Sequence, residues 1–346
     1  MAAVNLGRMQ QKFLKKFGKH AMIAASDTKA LSHIPYGISA QSLMLDLAIG
    51  RPGFPAGRMT EIVAKTNQGK STLAYHAMAQ CQRQGGFAML FETEFAYEAW
   101  RLQDLGVDTE ALRVVQPHNV EELYAEMAMA IREVRAVQKF KGPVLFVVDT
   151  IANLPSVVEE QGNYDEKFMA VAARAHALGL RKFVWTLAEH KIVLVYLNQL
   201  TNTLVQYGDQ LTSYGGSAIH KNASARAQLT SRKQDQIRVG GELVSAWTNV
   251  SMLKNKLESP FDKAKYLLNF KTGIDIVEDL WQAGRQLRVI TPTQKGAKFA
   301  LGEKSVLLTR EKFEQFVMEK FKSPAALRER LTKVAVEQQL LRPYGE

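Results

Sequence analysis

The chain has 346 residues, 46% of them hydrophobic, with 45 Lys and Arg against 34 Asp and Glu, a formal charge of +11 and a single cysteine. Such a length and apolar content support a large globular core and exclude a disordered chain, while the lone Cys81 excludes an intrachain disulfide framework and reads as a small core residue. No stretch approaches the roughly 20 apolar residues of a membrane helix, so a soluble, cytoplasmic protein without a membrane partner is expected; its basic balance fits either a solvated basic surface or a polyanionic partner.

Residues 5–24 set Leu6, Met9, Phe13, Leu14 and Phe17 near helical spacing among Arg8, Lys12, Lys15 and Lys16. The spacing predicts a basic amphipathic helix, whose apolar stripe must dock on its own core or on a neighbouring subunit. Residues 26–37 are polar and include Pro35, so 1–37 read as an N-terminal helix and linker. From 38 to 270, helical segments such as 119–138 and 167–189 alternate with short apolar runs. Phe87–Phe91, Val144–Val148 and Ile192–Leu197 suit strands buried on both faces of a mainly parallel sheet. This rhythm predicts an α/β domain with its site at the carboxyl ends of the strands. From 271 onward the chain is basic and poor in apolar runs, and it ends in helix-like pieces at 309–321 and 323–341. Ser323-Pro324 is a good helix start, an N-cap followed by proline at the first helical position. A small α+β C-terminal domain is expected over 271–346.

Within the α/β stretch, Met59–Val63 reads as a strand and Ser71–Ala79 as a helix. Between and overlapping them lies Ala64-Lys65-Thr66-Asn67-Gln68-Gly69-Lys70-Ser71-Thr72. This is the pattern of a phosphate-binding loop, with Ala64 where the first glycine is usual. Gly69 lets the backbone turn so that successive N–H groups point into one concavity. Lys70 brings a charge to the β/γ phosphates, and the Ser71 hydroxyl can ligate Mg²⁺. The helix start adds a partial positive charge beneath the phosphates. A chance match is the alternative, and the flanking strand and helix argue against it.

Three further positions end strands near that loop. Asp149 follows Val144–Val148 directly, where a carboxylate orients Mg²⁺ or its water. Glu92 and Glu94 follow the strand Phe87–Phe91, and either could orient water for attack on a γ-phosphate; strand alternation puts both on one face. Asn198-Gln199 ends the third strand, where an amide can bond the γ-phosphate and report its presence to the segment beyond. That segment, Leu200 to Tyr214, is polar and without obvious structure, and Gly215-Gly216 close it. A loop of that length in a compact domain is usually functional.

These pieces, in this order, resemble the RecA family of homologous-recombination ATPases. The likeness includes Phe17-Gly18-Lys19, the stretch Ser42 to Gly50, Phe91-Glu92-Thr93-Glu94-Phe95-Ala96 and Leu105-Gly106-Val107-Asp108. It continues through Val148-Asp149-Thr150, Ala172-Ala173-Arg174, Arg181-Lys182, Asn198-Gln199, Gly215-Gly216 and Lys254-Asn255-Lys256. The resemblance implies a RecA-like ATPase core over 38–270, preceded by an N-terminal helix that joins protomers. It implies Glu94 as the water-activating glutamate, Gln199 as the γ-phosphate sensor, and Lys254 and Lys256 as a pair reaching a neighbour's ATP, the two lysines sharing one face of a strand. It implies DNA-binding loops at about 157–166 and 200–216, with Met169 as an apolar wedge and Arg174 and Arg181 as phosphate contacts. Thr201, Thr203, Gly215 and Gly216 fall in the second loop.

The chain also departs from the family pattern. Arg101 falls where relatives place an adenine-stacking tyrosine, so Arg101 or Trp100 is expected to stack instead. Thr201 and Thr203 replace cations of the second loop, and His220-Lys221 stands where lysine-phenylalanine is common. The last residues, Arg342 to Glu346, carry no acidic tail, which implies readier duplex capture. The resemblance thus implies a DNA-dependent ATPase that uses ATP and Mg²⁺, forms a helical filament on single-stranded DNA and exchanges strands with homologous duplex. Single-strand-binding and mediator proteins are candidate partners. A hexameric helicase or motor of the same fold, and an ATP-gated DNA-binding scaffold with vestigial hydrolysis, are the alternatives.

Overall fold

A computed structural model describes residues 5–18, 22, 31–137, 140–163, 170–202, 211–257, 261–301 and 305–344. Helix α1 (Leu6–Phe17) is capped by Asn5, whose side chain accepts the Arg8 N–H at 2.9 Å, and it stops at Gly18 with φ 91°. It is therefore shorter than the 5–24 span of the apolar pattern. Its stripe is open: Leu6 and Phe17 are each 63% exposed.

The core then runs β1 (Gly37–Ile38), α2 (Leu43–Ile49), β2 (Phe54–Pro55), β3 (Arg58–Ala64), α3 (Lys70–Arg83), β4 (Phe87–Glu92), α4 (Ala99–Asp104) and β5 (Arg113–Val115). It continues through α5 (Val120–Ala136), β6 (Val144–Asp149), α6 (Val157–Gln161), α7 (Val171–His190), β7 (Val193–Asn202), β8 (Leu211–Ser213), α8 (Gly216–Asn222) and β9 (Ala225–Thr230). β10 (Gln236–Val239), β11 (Glu242–Asn255), β12 (Lys263–Asn269) and β13 (Gly273–Ile274) complete the central sheet.

The strand order is β13-β12-β11-β9-β3-β7-β6-β4-β5. The run β9-β3-β7-β6-β4-β5 is parallel, and β11, β12 and β13 extend it antiparallel. The sheet therefore reaches past residue 270. Alternation along the buried strands divides the core in two. Leu145 and Val147 of β6, with Val193, Val195 and Leu197 of β7, face α2 and α3. Val144, Phe146 and Val148, with Leu194 and Tyr196, face α5 and α7. A parallel sheet covered on both sides needs these uninterrupted apolar runs, because every strand position meets a core.

The remaining elements are α9 (Ile276–Gln286), the small antiparallel sheet β14 (Ile290–Thr293), β15 (Gly296–Ala300) and β16 (Ser305–Leu308), then α10 (Arg310–Phe321) and α11 (Pro324–Glu337). Trp281 packs edge-on against Phe313, centroids 4.9 Å apart, and Phe299 edge-on against Phe316, with Phe299 tilted toward Phe313. Polar contacts join this region to the core. Asp279 of α9 is fully buried and accepts the Ser42 hydroxyl and the Leu43 N–H, both at 2.6 Å, at the start of α2. Arg328 of α11 pairs with the buried Asp46. Cys81 lies in the core, where burial pushes its thiol up to about 12.

Candidate nucleotide and nucleic-acid site

β3 delivers the chain to the phosphate loop. Ala64 is its last residue, buried and in strand conformation. The left-handed positions of the loop are Asn67, φ 60°, and Gly69, φ 84°. The absent first glycine therefore costs no backbone strain, because that position does not need positive φ. Gly69 is needed twice over: a Cβ there would come within 2.6 Å of Leu268 on β12. With glycine at the N-cap, no side chain caps α3, and its first N–H groups are left for an anion.

Lys70, only 8% exposed, lies across the loop. Its Nζ donates to the carbonyls of Lys65 at 3.2 Å and Ala64 at 3.4 Å. Burial lowers its pKa, against the opposing pull of Asp149 and Glu94. Asp149 ends β6 and is pushed up to about 6, first by burial; its hydrogen bond with Ser71 acts in the other direction. Among the described residues no three His, Cys, Asp or Glu side chains form a metal cage. Ser71 beside one carboxylate instead suits Mg²⁺, which keeps several waters and takes its other ligands from phosphate.

The two glutamates have different surroundings. β4 stops at Glu92, and the chain turns at Phe95, φ 52°, so the strand alternation assumed for Glu92 and Glu94 does not reach Glu94. Glu92 accepts the N–H groups of Glu94 and Ala96 at 3.1 Å each and the Gln116 amide at 3.2 Å. It is occupied in folding the turn. Glu94 is half-buried, and its Oε1 accepts Gln199 Nε2 at 2.9 Å.

β3 and β7 are adjacent, with Ala64 opposite Gln199. Gln199 therefore leaves the sheet beside the start of the phosphate loop. The preceding Asn198 is buried and bonds Tyr214 in both directions: Nδ2 donates to the Tyr214 carbonyl at 2.9 Å, and Oδ1 accepts its N–H at 3.2 Å. The stretch after Gln199 differs from an unstructured loop. β7 continues to Asn202 and pairs antiparallel with β8, Thr201 facing Thr212. Gly215 and Gly216, φ 78° and 70°, turn the chain into α8. A Cβ on Gly216 would lie 3.0 Å from Ala173 Cβ, so this turn sits on α7. The first expected loop likewise opens as α6, started by a capping box between Ser156 and Glu159. Arg174 and Arg181 both lie exposed on α7. Met169 and Thr203 lie outside the described residues.

The single strand face expected for Lys254 and Lys256 is not formed. β11 bulges between Met252 and Lys254 and ends at Asn255, so Lys256 stands beyond it. Lys254 Nζ donates to the carbonyls of His220 at 2.6 Å and Lys221 at 2.9 Å, at the end of α8. His220 bonds Ser213 at 2.6 Å and lies 3.9 Å from the buried Glu61, which also pairs with Arg226. Asn255 pairs with Ala225, and Ala225 with Thr60. The two lysines thus leave the sheet near the start of β3, roughly 13 Å of strand from its Ala64 end. With Arg58 and Lys221, Lys256 lines a cavity of about 520 Å³ there.

A second cavity, about 540 Å³, opens beside the phosphate loop and is lined by Asn67, Gly69, Thr72, Leu268 and Phe270. Sequence reasoning missed Phe270. Its signal was an aromatic closing an alternating strand just before Lys271-Thr272-Gly273. Trp100 is 59% exposed and lines neither cavity. Arg101 Nη1 donates to the Lys271 carbonyl at 2.6 Å and so braces the turn that carries Phe270.

A family model described as the RecA N-terminal domain matches residues 5–275. A protein named Protein RecA from Chlorobaculum tepidum is 33% identical over 307 residues, covering 88% of this chain and 85% of its own. Its namesake from Porphyromonas gingivalis is 32% identical over 310 residues, covering 89% and 87%. That from Desulfotalea psychrophila is 31% identical over 332 residues, covering 96% and 87%. Among the described residues no helix is long and apolar enough to cross a membrane. The chain belongs to the RecA family, the nucleotide-binding, DNA-dependent ATPases that assemble on single-stranded DNA and act in recombination and repair.

Proposed function

We propose that this chain hydrolyses Mg²⁺-ATP between successive copies of itself in a helical filament on single-stranded DNA, and exchanges that strand with homologous duplex in the cytoplasm. The carrying observation is the bond between Gln199 and Glu94. It joins the root of the second DNA loop to the carboxylate best placed to activate water. In this reading the Gln199 amide holds Glu94 Oε1 until a γ-phosphate competes for the amide, and Glu94 is then released to take a proton from the attacking water. The loop N–H groups and Lys70 hold the phosphates. Ser71 and Asp149 would hold Mg²⁺, which neutralises charge on the transferring phosphoryl group. The cavity beside the phosphate loop, with Phe270 in its wall, would hold the base; Trp100 does not line that cavity.

Lys254 and Lys256 stand at the far end of β3 from Lys70, which favours their action on a second copy's nucleotide. The exposed stripe of α1 supports the same head-to-tail assembly. Arg174 and Arg181 contact DNA phosphates, and Thr201, Gly215 and Gly216 shape the second loop. Residues 1–37 join protomers, 38–270 together with β13 of the same sheet carry the ATPase, and the region from α9 onward forms a C-terminal domain that engages duplex.

The test combines strand exchange, DNA-stimulated turnover and electron microscopy of ATP-bound complexes for wild type, Lys70→Ala and Lys254→Ala. Helical filaments and exchange are expected for wild type and neither activity for the variants alone. Because each variant spoils only one side of the shared site, mixing the two restores part of the turnover. Closed rings that unwind duplex would favour a helicase, and background turnover with saturating single-stranded DNA would favour a scaffold.

A further inference from the structure

The turn that carries Phe270 is held from two sides. β13 is the last strand of the sheet, and β12 pairs with it, Leu268 opposite Ile274 and Asn269 opposite Gly273. The Asp275 N–H completes this hairpin by donating to the Leu267 carbonyl at 2.9 Å. The N–H of Ile274 points the other way, off the edge of the sheet, where no strand accepts it. His76 of α3 takes it instead: Nε2 accepts the Ile274 N–H at 3.0 Å. The second hold is the bond from Arg101 to the Lys271 carbonyl. Gly273 lets the turn lie directly on the imidazole, because a Cβ there would clash with Nε2.

His76 is buried and does not line the cavity beside the phosphate loop. A neutral imidazole that accepts at Nε2 carries its proton on Nδ1. Burial, with Arg83 and Arg101 nearby, pushes the pKa of His76 down to about 4, so the ring is neutral at physiological pH. Nδ1 is buried as well and has no hydrogen-bond partner among the described residues. An unpaired buried N–H is unfavourable, and an apolar side chain would fill the same space without it. Packing alone is therefore a poor account of a histidine here, and the bond to Ile274 is what the ring supplies. α3 thus carries two devices. Its first turn places Lys70 over the phosphate loop, and His76, about 9 Å further along the axis, holds the turn that presents Phe270.

We propose that His76 is a positioning residue for the nucleoside: by accepting the Ile274 N–H it fixes Phe270 at the reach of a base from the phosphate loop, and so makes the site select nucleotides over bare polyphosphates. The inference rests on the base lying in the cavity that Phe270 lines. Phosphate binding itself does not pass through His76.

The test is calorimetric titration of the full chain with Mg²⁺-ADP and with Mg²⁺-pyrophosphate, which has phosphates and no base. Phe270→Ala checks the underlying reading: it is expected to weaken ADP binding by at least about fivefold, the worth of stacking a base on an aromatic ring, and to leave pyrophosphate unchanged. His76→Leu fills the space without an acceptor, and is expected to weaken ADP binding by at least about threefold with pyrophosphate unchanged. His76→Gln, whose Oε1 can reach the Ile274 N–H, is expected to return ADP affinity to within about twofold of wild type. His76→Asn keeps an amide too short to reach and is expected to match His76→Leu, so the comparison stands even if the leucine variant does not fold. Unchanged ADP affinity in Phe270→Ala would take the base out of this cavity and remove the reading beneath the proposal. A loss in Phe270→Ala with none in His76→Leu or His76→Asn, an equal loss of ADP and pyrophosphate in those variants, or no recovery in His76→Gln would overturn the role of His76 and leave the placement of the base intact.

Discussion

The loops that leave β3 and β7 start side by side, Ala64 opposite Gln199, yet they are built on different principles. The β3 loop is a contiguous device. Within a few residues it turns at Asn67 and Gly69, folds Lys70 back over its own carbonyls and opens α3 toward an anion. The β7 segment does its work through distant partners. Gln199 meets Glu94 from the end of β4, Asn198 meets Tyr214 across the hairpin, and Gly216 rests on α7. In the proposed reading, grip on a phosphate is encoded locally, whereas reporting on it uses residues that fold from far apart in sequence.

Substitutions should separate the two. Lys70→Ala removes the buried charge of the first loop and should lower turnover by about 10²–10³-fold or more, with nucleotide binding lost in a fluorescent-ADP titration. Glu94→Gln should lower turnover by about 10²–10⁴-fold while leaving nucleotide affinity nearly intact, which places the loss in the chemical step. Gln199→Ala should retain nucleotide affinity and basal turnover but lose most of the DNA stimulation; unchanged stimulation would break the proposed link between loops. Gly69→Ala meets Leu268 and a left-handed backbone, and should weaken nucleotide binding by about tenfold with a stability loss near 1–3 kcal/mol in urea unfolding. Ala64→Gly should change kcat/KM by less than about twofold, because the strand conformation there makes no use of glycine.

Legibility in the sequence divides along the same line. Val144–Val148 and Ile192–Leu197 announced strands covered on both faces, and Gly69-Lys70-Ser71 announced the loop, because the relevant physics spans neighbouring residues. Thr201 and Thr212 looked like loop because a polar hairpin stem has no apolar period to reveal it. By local pattern alone Glu92 and Glu94 are equivalent, since the end of β4 decides which carboxylate is consumed by the turn. Phe270 reaches the phosphate loop only through the pairing of β12 with β11, a contact invisible to local pattern. The family resemblance supplied Glu94 and Gln199 where local physics left a choice.

The carboxylate of Asp279 has a consequence for how the molecule can be taken apart. It satisfies the start of α2 from a position 236 residues away, and a helix start buried without such a partner is unstable. Cleavage near residue 270 would therefore not release an intact core and a separate tail. It would leave α2 with exposed donors beneath the central sheet and couple the loss of the C-terminal region to melting of the layer that backs the nucleotide loop. Limited proteolysis should accordingly show the two regions disappearing together, as one cooperative unit, and not a protected fragment ending at the sheet's last strand.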